Sequence, residues 1–386
     1  MAPNCVSGLA SKELDIYDGQ NASGGTMKDP GWTRSESPFH AGEWEVQQRY
    51  GVRDRVETFG RQMVREYLLE QHRQFYARLP FLLIGAVDRR GNPWASVVAS
   101  KPGFISSPDP QRLWIESHPL FGSPLQESFS VGTKVGILGI LPESRRRNRL
   151  SGRISRIEAT GFEVEVIQSF GNCPQYIQTR TIEVLPDIDR PSASRPLHRS
   201  DRLDDSARTL IQDADTFFIA TSYAEDIEAR SQGADVSHRG GKPGFVCVQN
   251  DKTFVFPDFS GNLIFNTVGN LLLNPKAGFL FIDFNSGDLL YVTGATQIIW
   301  DGGDVRDFEG AERLICCSVE SIVRVEQSLP LRFTFGDYSP TLERTGSWED
   351  AMRVKGDRDE DSSVQTNQRL AANRDERSSC GPCKST

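Results

Sequence analysis

The chain has 386 residues, with 44 Lys and Arg against 52 Asp and Glu, a formal net charge of −8 and a mean hydropathy of −0.44. That length can bury two cores, with polar segments left outside them. The acidic balance argues against general nucleic-acid binding, and no apolar stretch approaches the roughly 18–20 residues of a membrane span.

Seven cysteines, an odd number, are scattered at Cys5, Cys173, Cys247, Cys316, Cys317, Cys380 and Cys383. Met1–Ala10 lacks a basic segment followed by an apolar run, so a cytoplasmic chain with reduced thiols is expected.

Residues 1–36 are polar and rich in Gly, Ser and Asp and read as a disordered arm. From Val52 to Leu79 apolar residues recur at helical spacing, with Val56, Phe59, Met63 and Tyr67 on one face. Phe81–Val87, a turn over Asp88–Pro93 and Trp94–Ala99 read as a β-hairpin. Leu113–Ile115, Lys134–Ile140, Arg153–Ile154 and Phe162–Ile167 follow as strands at close spacing, which predicts a small barrel rather than βαβ units. The domain reading is a first barrel with N-terminal helices over 37–185, a Pro-rich linker over 186–202, a second barrel over 203–340 and a disordered tail over 341–386. In the second half, Leu203–Asp213 reads as a helix, and strands are expected at Thr216–Thr221, Phe245–Val248, Ala277–Asp283, Asp288–Gly294 and Leu331–Phe335.

Two short matches tie the halves together. Lys101-Pro-Gly-Phe104 recurs as Lys242-Pro-Gly-Phe245, 141 residues later, and Ser151-Gly152 lies opposite Thr293-Gly294 at a spacing of 142. Each of these last glycines suits a bend at a barrel corner. The second copy of the repeated turn belongs to Asp235-Val-Ser-His-Arg-Gly-Gly-Lys-Pro-Gly-Phe245, which reads as one turn between two strands.

That stretch, with Phe256-Pro-Asp-Phe-Ser-Gly-Asn-Leu-Ile-Phe-Asn266, Gly269-Asn270, Asn274-Pro275 and Gly287-Asp-Leu-Leu290, resembles the pyridoxamine 5′-phosphate oxidase-like, FMN-binding split-barrel family. Asn172-Cys-Pro174 at the end of the first half fits the same family. The resemblance covers roughly residues 40–340 and implies a mainly β fold with flanking helices: two tandem antiparallel split barrels, forming an internal pseudo-dimer or a homodimer. It further implies an FMN-dependent oxidoreductase acting on a small molecule, with NAD(P)H or a redox protein as partner. At Ser260-Gly-Asn262 the chain lacks the Arg-Lys pair of the vitamin-making oxidases, so the likeness does not extend to that reaction.

A flavin mononucleotide needs cations and amides for its phosphate, a flat wall for its ring and hydrogen bonds for its pyrimidine edge. Ser237, His238, Arg239 and Lys242 offer the first; Arg can grip a phosphate with two donors. Phe256, Pro257 and Asp258 are candidates for the wall and its rim, and Asn262 and Asn266 for the polar edge. The first-half copy of the turn has no neighbouring His-Arg, so Lys242 reads as scaffold and His238-Arg239 as ligand contacts. Phe256 and Phe259 fit either core or wall.

Arg145-Arg-Arg-Asn-Arg149, the densest positive run, is placed in a loop between strands; a solvated loop and a phosphate contact between the barrels both remain open. Cys173 and the Cys316-Cys317 pair read as structural, and Cys380-Gly-Pro-Cys383 lacks the strand–helix setting of a redox motif. No His/Cys/carboxylate spacing suggests a metal, and no histidine is placed as a haem ligand. The alternatives to an FMN enzyme are a non-enzymatic flavin or small-anion binding or sensor protein, and a cofactor-free interaction scaffold.

Overall fold

The computed structural model describes residues 30–188, 194–226 and 228–353. The arm and tail expectations for 1–29 and 354–386, with Cys5, Cys380 and Cys383, lie outside them. Among the described residues no helix is long and apolar enough to cross a membrane.

The protein is mainly β, with antiparallel sheets and a few helices. Helices α1 (Ala41–Arg49), α2 (Arg53–Met63) and α3 (Glu70–Ala77) come first. Seven strands follow: β1 (Phe81–Val87), β2 (Pro93–Ala99), β3 (Ile105–Ser106), β4 (Arg112–Ile115), β5 (Lys134–Leu141), β6 (Arg146–Glu158) and β7 (Gly161–Asn172). Their order in the sheet is β2-β1-β5-β6-β7-β4-β3. After β8 (Arg180–Val184), β9 (Leu197–Ser200) and α4 (Asp205–Asp213), a second set begins. It comprises β10 (Thr216–Tyr223), β11 (Gly233–Gly240), β12 (Cys247–Asn250), β13 (Thr253–Phe259), β14 (Lys276–Ile282), β15 (Leu289–Ile299) and β16 (Ala311–Val325). Helix α5 (Asn266–Leu273) lies between β13 and β14, α6 (Gly303–Asp307) between β15 and β16, and β17 (Leu331–Phe335) ends the set. The second sheet is ordered β11-β10-β14-β15-β16-β13-β12, the same path as the first, with β9 added on β16.

The sheets share finer features. Gly103 and Gly244 both take positive φ, 101° and 84°. In each turn the Phe amide donates to the Lys carbonyl, Phe104 to Lys101 at 3.2 Å and Phe245 to Lys242 at 2.9 Å. The register slips between Ser151 and Gly152 in β6 and between Thr293 and Gly294 in β15, a bulge at each expected bend.

The strands that read as continuous apolar runs are buried on both faces. On β10, Phe217 and Ile219 join a second-half core with Phe254, Phe256, Phe279 and Phe281, while Phe218 and Ala220 face a larger core that spans both sheets. The sheets cross there at van der Waals contact. A Cβ on Gly136 of β5 would lie 2.6 Å from Asp235 Cα on β11, and one on Gly278 of β14 would lie 2.5 Å from Trp94 Cα on β2. Strands β5 and β14, and β2 and β11, hold the same places in the two strand orders, so the two contacts join like-placed strands.

Several sequence expectations need correction. The helical spacing of Val52–Leu79 is interrupted between α2 and α3: the chain leaves α2 at Val64 in an extended conformation, and Arg65 exchanges backbone hydrogen bonds with Ser169. The linker 186–202 includes strand β9, paired with β16 from Ser200↔Ile322 to Leu197↔Val325. The tail reading of 341–386 fails for 341–353, where Leu342 and Ala351 are buried and Trp348 Nε1 donates to the Phe245 carbonyl at 2.9 Å. The glycine- and charge-rich stretch from Asp235 is not one turn. Gly233–Gly240 is strand β11, paired along its whole length with β10, and the turn begins after it.

Candidate functional site

A cleft opens where β6 and β7 of the first sheet meet β11 and β13 of the second. Strand β11 brings Ser237, His238 and Arg239; β13 and the residues after it bring Pro257, Asp258, Phe259 and Asn262. The first sheet adds Arg147, Arg149, Asn172, Cys173 and Tyr176. The run Arg145–Arg149 is therefore not a solvated loop. Arg146–Arg149 belong to strand β6, and alternation along it sends Arg147 and Arg149 into the cleft.

Cations dominate the lining. Arg147 Nε donates to the Cys173 carbonyl at 2.7 Å, and its Nη1 lies 3.5 Å from His238 Nδ1. Arg149 is buried, donates from Nη1 to Asn266 Oδ1 at 3.3 Å and contacts the Asp235 carboxylate. Burial, then the charges of Arg147 and Arg239, lower its pKa to about 9. Arg239 Nη2 meets Asp258 Oδ1 at 3.2 Å, while its Nε is buried without a hydrogen-bond partner. His238 is 3% exposed and packs edge-on to Phe218. Burial, reinforced by Arg147, Arg239 and Arg180, holds its pKa well below the usual histidine value. The imidazole is neutral at physiological pH and donates or accepts a hydrogen bond rather than adding charge.

Asp258 is committed elsewhere. Its Oδ2 takes Arg313 Nη1 at 2.6 Å, and Arg313 is boxed by the rings of Tyr50, Phe265 and Trp300. Burial works against the Arg313 charge, but Asp258 and Glu312 outweigh it and raise the pKa. Asp258 thus anchors two guanidiniums and is not free for a ligand.

The other predicted residues divide. Ser237 is buried, and its hydroxyl accepts from Thr267 at 3.1 Å. Asn262 lies in the cleft, 3.4 Å from Asn172 Oδ1. Asn266 sits behind the cleft, donating to Glu43 Oε1 at 2.5 Å. Lys242 is exposed at the repeated turn. Phe256 is 0% exposed, inside the second-half aromatic core, so it cannot wall a ligand. Arg147, Arg149, Tyr176 and Glu43 were not marked as site residues by sequence. The arginine run was the available signal, and reading it as a strand would have alternated it correctly.

The cleft is small. Its volume is about 90 Å³, against roughly 300–1,000 Å³ for cofactor pockets. The aromatic surface is already covered: Tyr176 stacks on Phe259 with centroids 5.3 Å apart, and its hydroxyl donates to the Ser260 carbonyl at 2.9 Å. Tyr176 is held at φ 63°, and its carbonyl lies where a Cβ on Gly240 would be, 2.0 Å away. Only glycine at 240 permits this crossing.

No family model and no curated protein matches the chain. Among solved structures it is similar to a protein of Lactobacillus delbrueckii assigned as a pyridoxamine 5′-phosphate oxidase, at 12% identity and TM-score 0.26, over 32% of this chain and 94% of that one. It is also similar to HupZ of Group A Streptococcus, at 16% identity and TM-score 0.25, over 31% and 90%. A FAD binding protein from Mycobacterium smegmatis aligns at 16% identity and TM-score 0.23, over 32% and 98%. Likenesses this weak do not decide the fold or the chemistry. Among the described residues no group of three or more His, Cys, Asp or Glu could hold a metal ion.

Proposed function

We propose that this chain is a binding protein for a small phosphate-bearing anion, built from two tandem split-barrel units arranged as an internal pseudo-dimer. The tandem reading is supported by the common strand order, the matched turns and bulges, and the crossing of like-placed strands at Gly136 and Gly278. The ligand reading is carried by one observation: Arg147, Arg149 and Arg239 all line one cleft, in which Asp258 is the single carboxylate. Guanidinium–phosphate bonds are among the stronger hydrogen bonds available. The small volume of the cleft favours a phosphate-sized ligand over a whole flavin, so FMN serves as a probe rather than as the assigned cofactor.

The test is calorimetric titration with inorganic phosphate and with FMN. Phosphate should bind, and Arg239→Ala should weaken it by about 10- to 100-fold, the equivalent of about 1–3 kcal/mol. The variant leaves Asp258 paired with Arg313, so folding should be preserved. Tight FMN binding with a shifted flavin absorbance would return the protein to the flavin-dependent class. Binding of neither probe would sink the anion reading.

A further inference from the structure

Strand register aligns the two sheets residue by residue. Across the first sheet one row runs Val97, Leu83, Leu138, Arg149. Across the second the matching row runs His238, Phe218, Leu280, Tyr291. Two residues along β6 and β15, Arg147 pairs with Ile140 and Leu289 pairs with Ile282. His238 therefore corresponds to Val97, Arg239 to Val98, Arg149 to Tyr291 and Arg147 to Leu289. The open cleft uses the Arg149 end of one row and the His238 end of the other. The crossing of like-placed strands gives a second, related place, where Tyr291 and Leu289 meet Val97 and Val98.

That second place is packed solid. Val97, Val98, Leu289 and Tyr291 are each 0% exposed, in the core that spans both sheets. A hydroxyl pair survives in both places: Ser237 with Thr267 at 3.1 Å in one, Ser96 with Ser123 at 2.7 Å in the other. The Tyr291 phenol is buried against the second pair, and that burial raises its pKa, so it stays neutral. The scaffold is common to both places, and the charged and titratable groups belong to one.

We infer that, of these two related places among the described residues, one is a ligand cleft and the other is filled by Tyr291 and Leu289, and that the first half's Arg147 is a ligand-binding residue of the open one. The stoichiometry rests on the anion reading above; the filling of the counterpart does not.

Two measurements test this. Titration of the full chain with inorganic phosphate should give one site, and Arg147→Ala should weaken it at least tenfold although it lies in the other half from His238. Two equivalent sites, or an Arg147→Ala variant that binds like the wild type, would overturn the inference. Separately, Tyr291→Ala empties a filled place and should lower Tm by on the order of 10 °C, while Arg147→Ala should shift it by less than about 3 °C. If Tyr291→Ala costs no more than Arg147→Ala, the counterpart is not filled and the inference fails. Should the wild type bind no phosphate, the anion reading falls and the Tyr291 comparison alone decides whether the counterpart is filled.

Discussion

The carboxamide of Asn266 links two buried groups from distant parts of the chain, donating to Glu43 Oε1 and accepting from Arg149 Nη1. Glu43, in the first turn of α1, also accepts from the His40 amide at 2.8 Å. Burial raises its pKa to about 8, against the pull of the His40 amide, Arg149 and Asn266. Burial lowers His40 to about 4, so near neutrality the 3.6 Å approach of these side chains is between two uncharged groups. The folded protein keeps the Glu43 proton up to about pH 8, whereas the unfolded chain releases it near 4.5. Its contribution to stability is therefore complete below pH 4.5 and is lost as pH rises through 8. His40 and His72, both lowered to about 4, act in the opposite sense below 6.5; Arg149, lowered to about 9, acts only above the window. Between pH 6.5 and 8 the Glu43 contribution alone should fall by roughly 1–2 kcal/mol, offset in part by the lowered His40, His72 and His238. Glu43→Gln, an isostere of the protonated acid, should flatten that slope in urea denaturation across pH; an unchanged slope would remove Glu43 as its source. Nothing in the sequence around Gly42-Glu-Trp announces this role, because Asn266 and Arg149 join Glu43 only in the fold. His238 and Arg239 stand out in the sequence because of their residue types beside a repeated turn, and the structure places both in the cleft. Phe256 was ambiguous because an aromatic beside a proline suits a core as well as a ligand wall.

At the scale of elements, the tightest constraint is the crossing of the two sheets. A side chain at Gly278 would meet the Pro93 carbonyl oxygen at 2.2 Å, and backbone cannot yield as a flexible side chain can. Gly278→Ala should destabilise by on the order of 3 kcal/mol, whereas Gly171→Ala, with nothing within 4 Å, should be close to neutral. Denaturation midpoints compare them, and equal midpoints would show that the sheets do not cross there. Hairpin β1–β2 was readable because Asp88 closes its turn, accepting from the amides of Arg90 and Asn92. Strand β11 was not: its alternation of Ala234, Val236 and His238 with Asp235, Ser237 and Arg239 is masked by polar residues on both sides. Those residues are tolerated inside because Arg149 and Asp258 partner Asp235 and Arg239 from other strands. Local pattern does not contain that information.

For the molecule as a whole, the large core mixes Leu83 and Val98 with Phe218, Leu280 and Val325. Helix α1 crosses α5 of the other half, with a Cβ on Gly42 falling 2.1 Å from the Gly269 carbonyl oxygen. Neither sheet can withdraw without exposing the shared core. Chemical denaturation should therefore give one transition seen alike by fluorescence and circular dichroism. A fragment ending at residue 188 should be insoluble or molten; a fragment that folds with native cooperativity would contradict the shared core.

The two-stranded ribbon of β8 and β17 carries this dependence into the order of synthesis. Thr181 pairs with Thr334 and Val184 with Leu331, so the strand that leaves the first half finds its partner in the last strand of the second. A growing chain cannot complete its first half as that half emerges. It must hold the apolar back of the first sheet, and an unpaired β8, until about 150 further residues have been made. Over that interval it exposes the kind of surface that chaperones bind, and a stop codon before Leu331 would leave β8 without its partner strand.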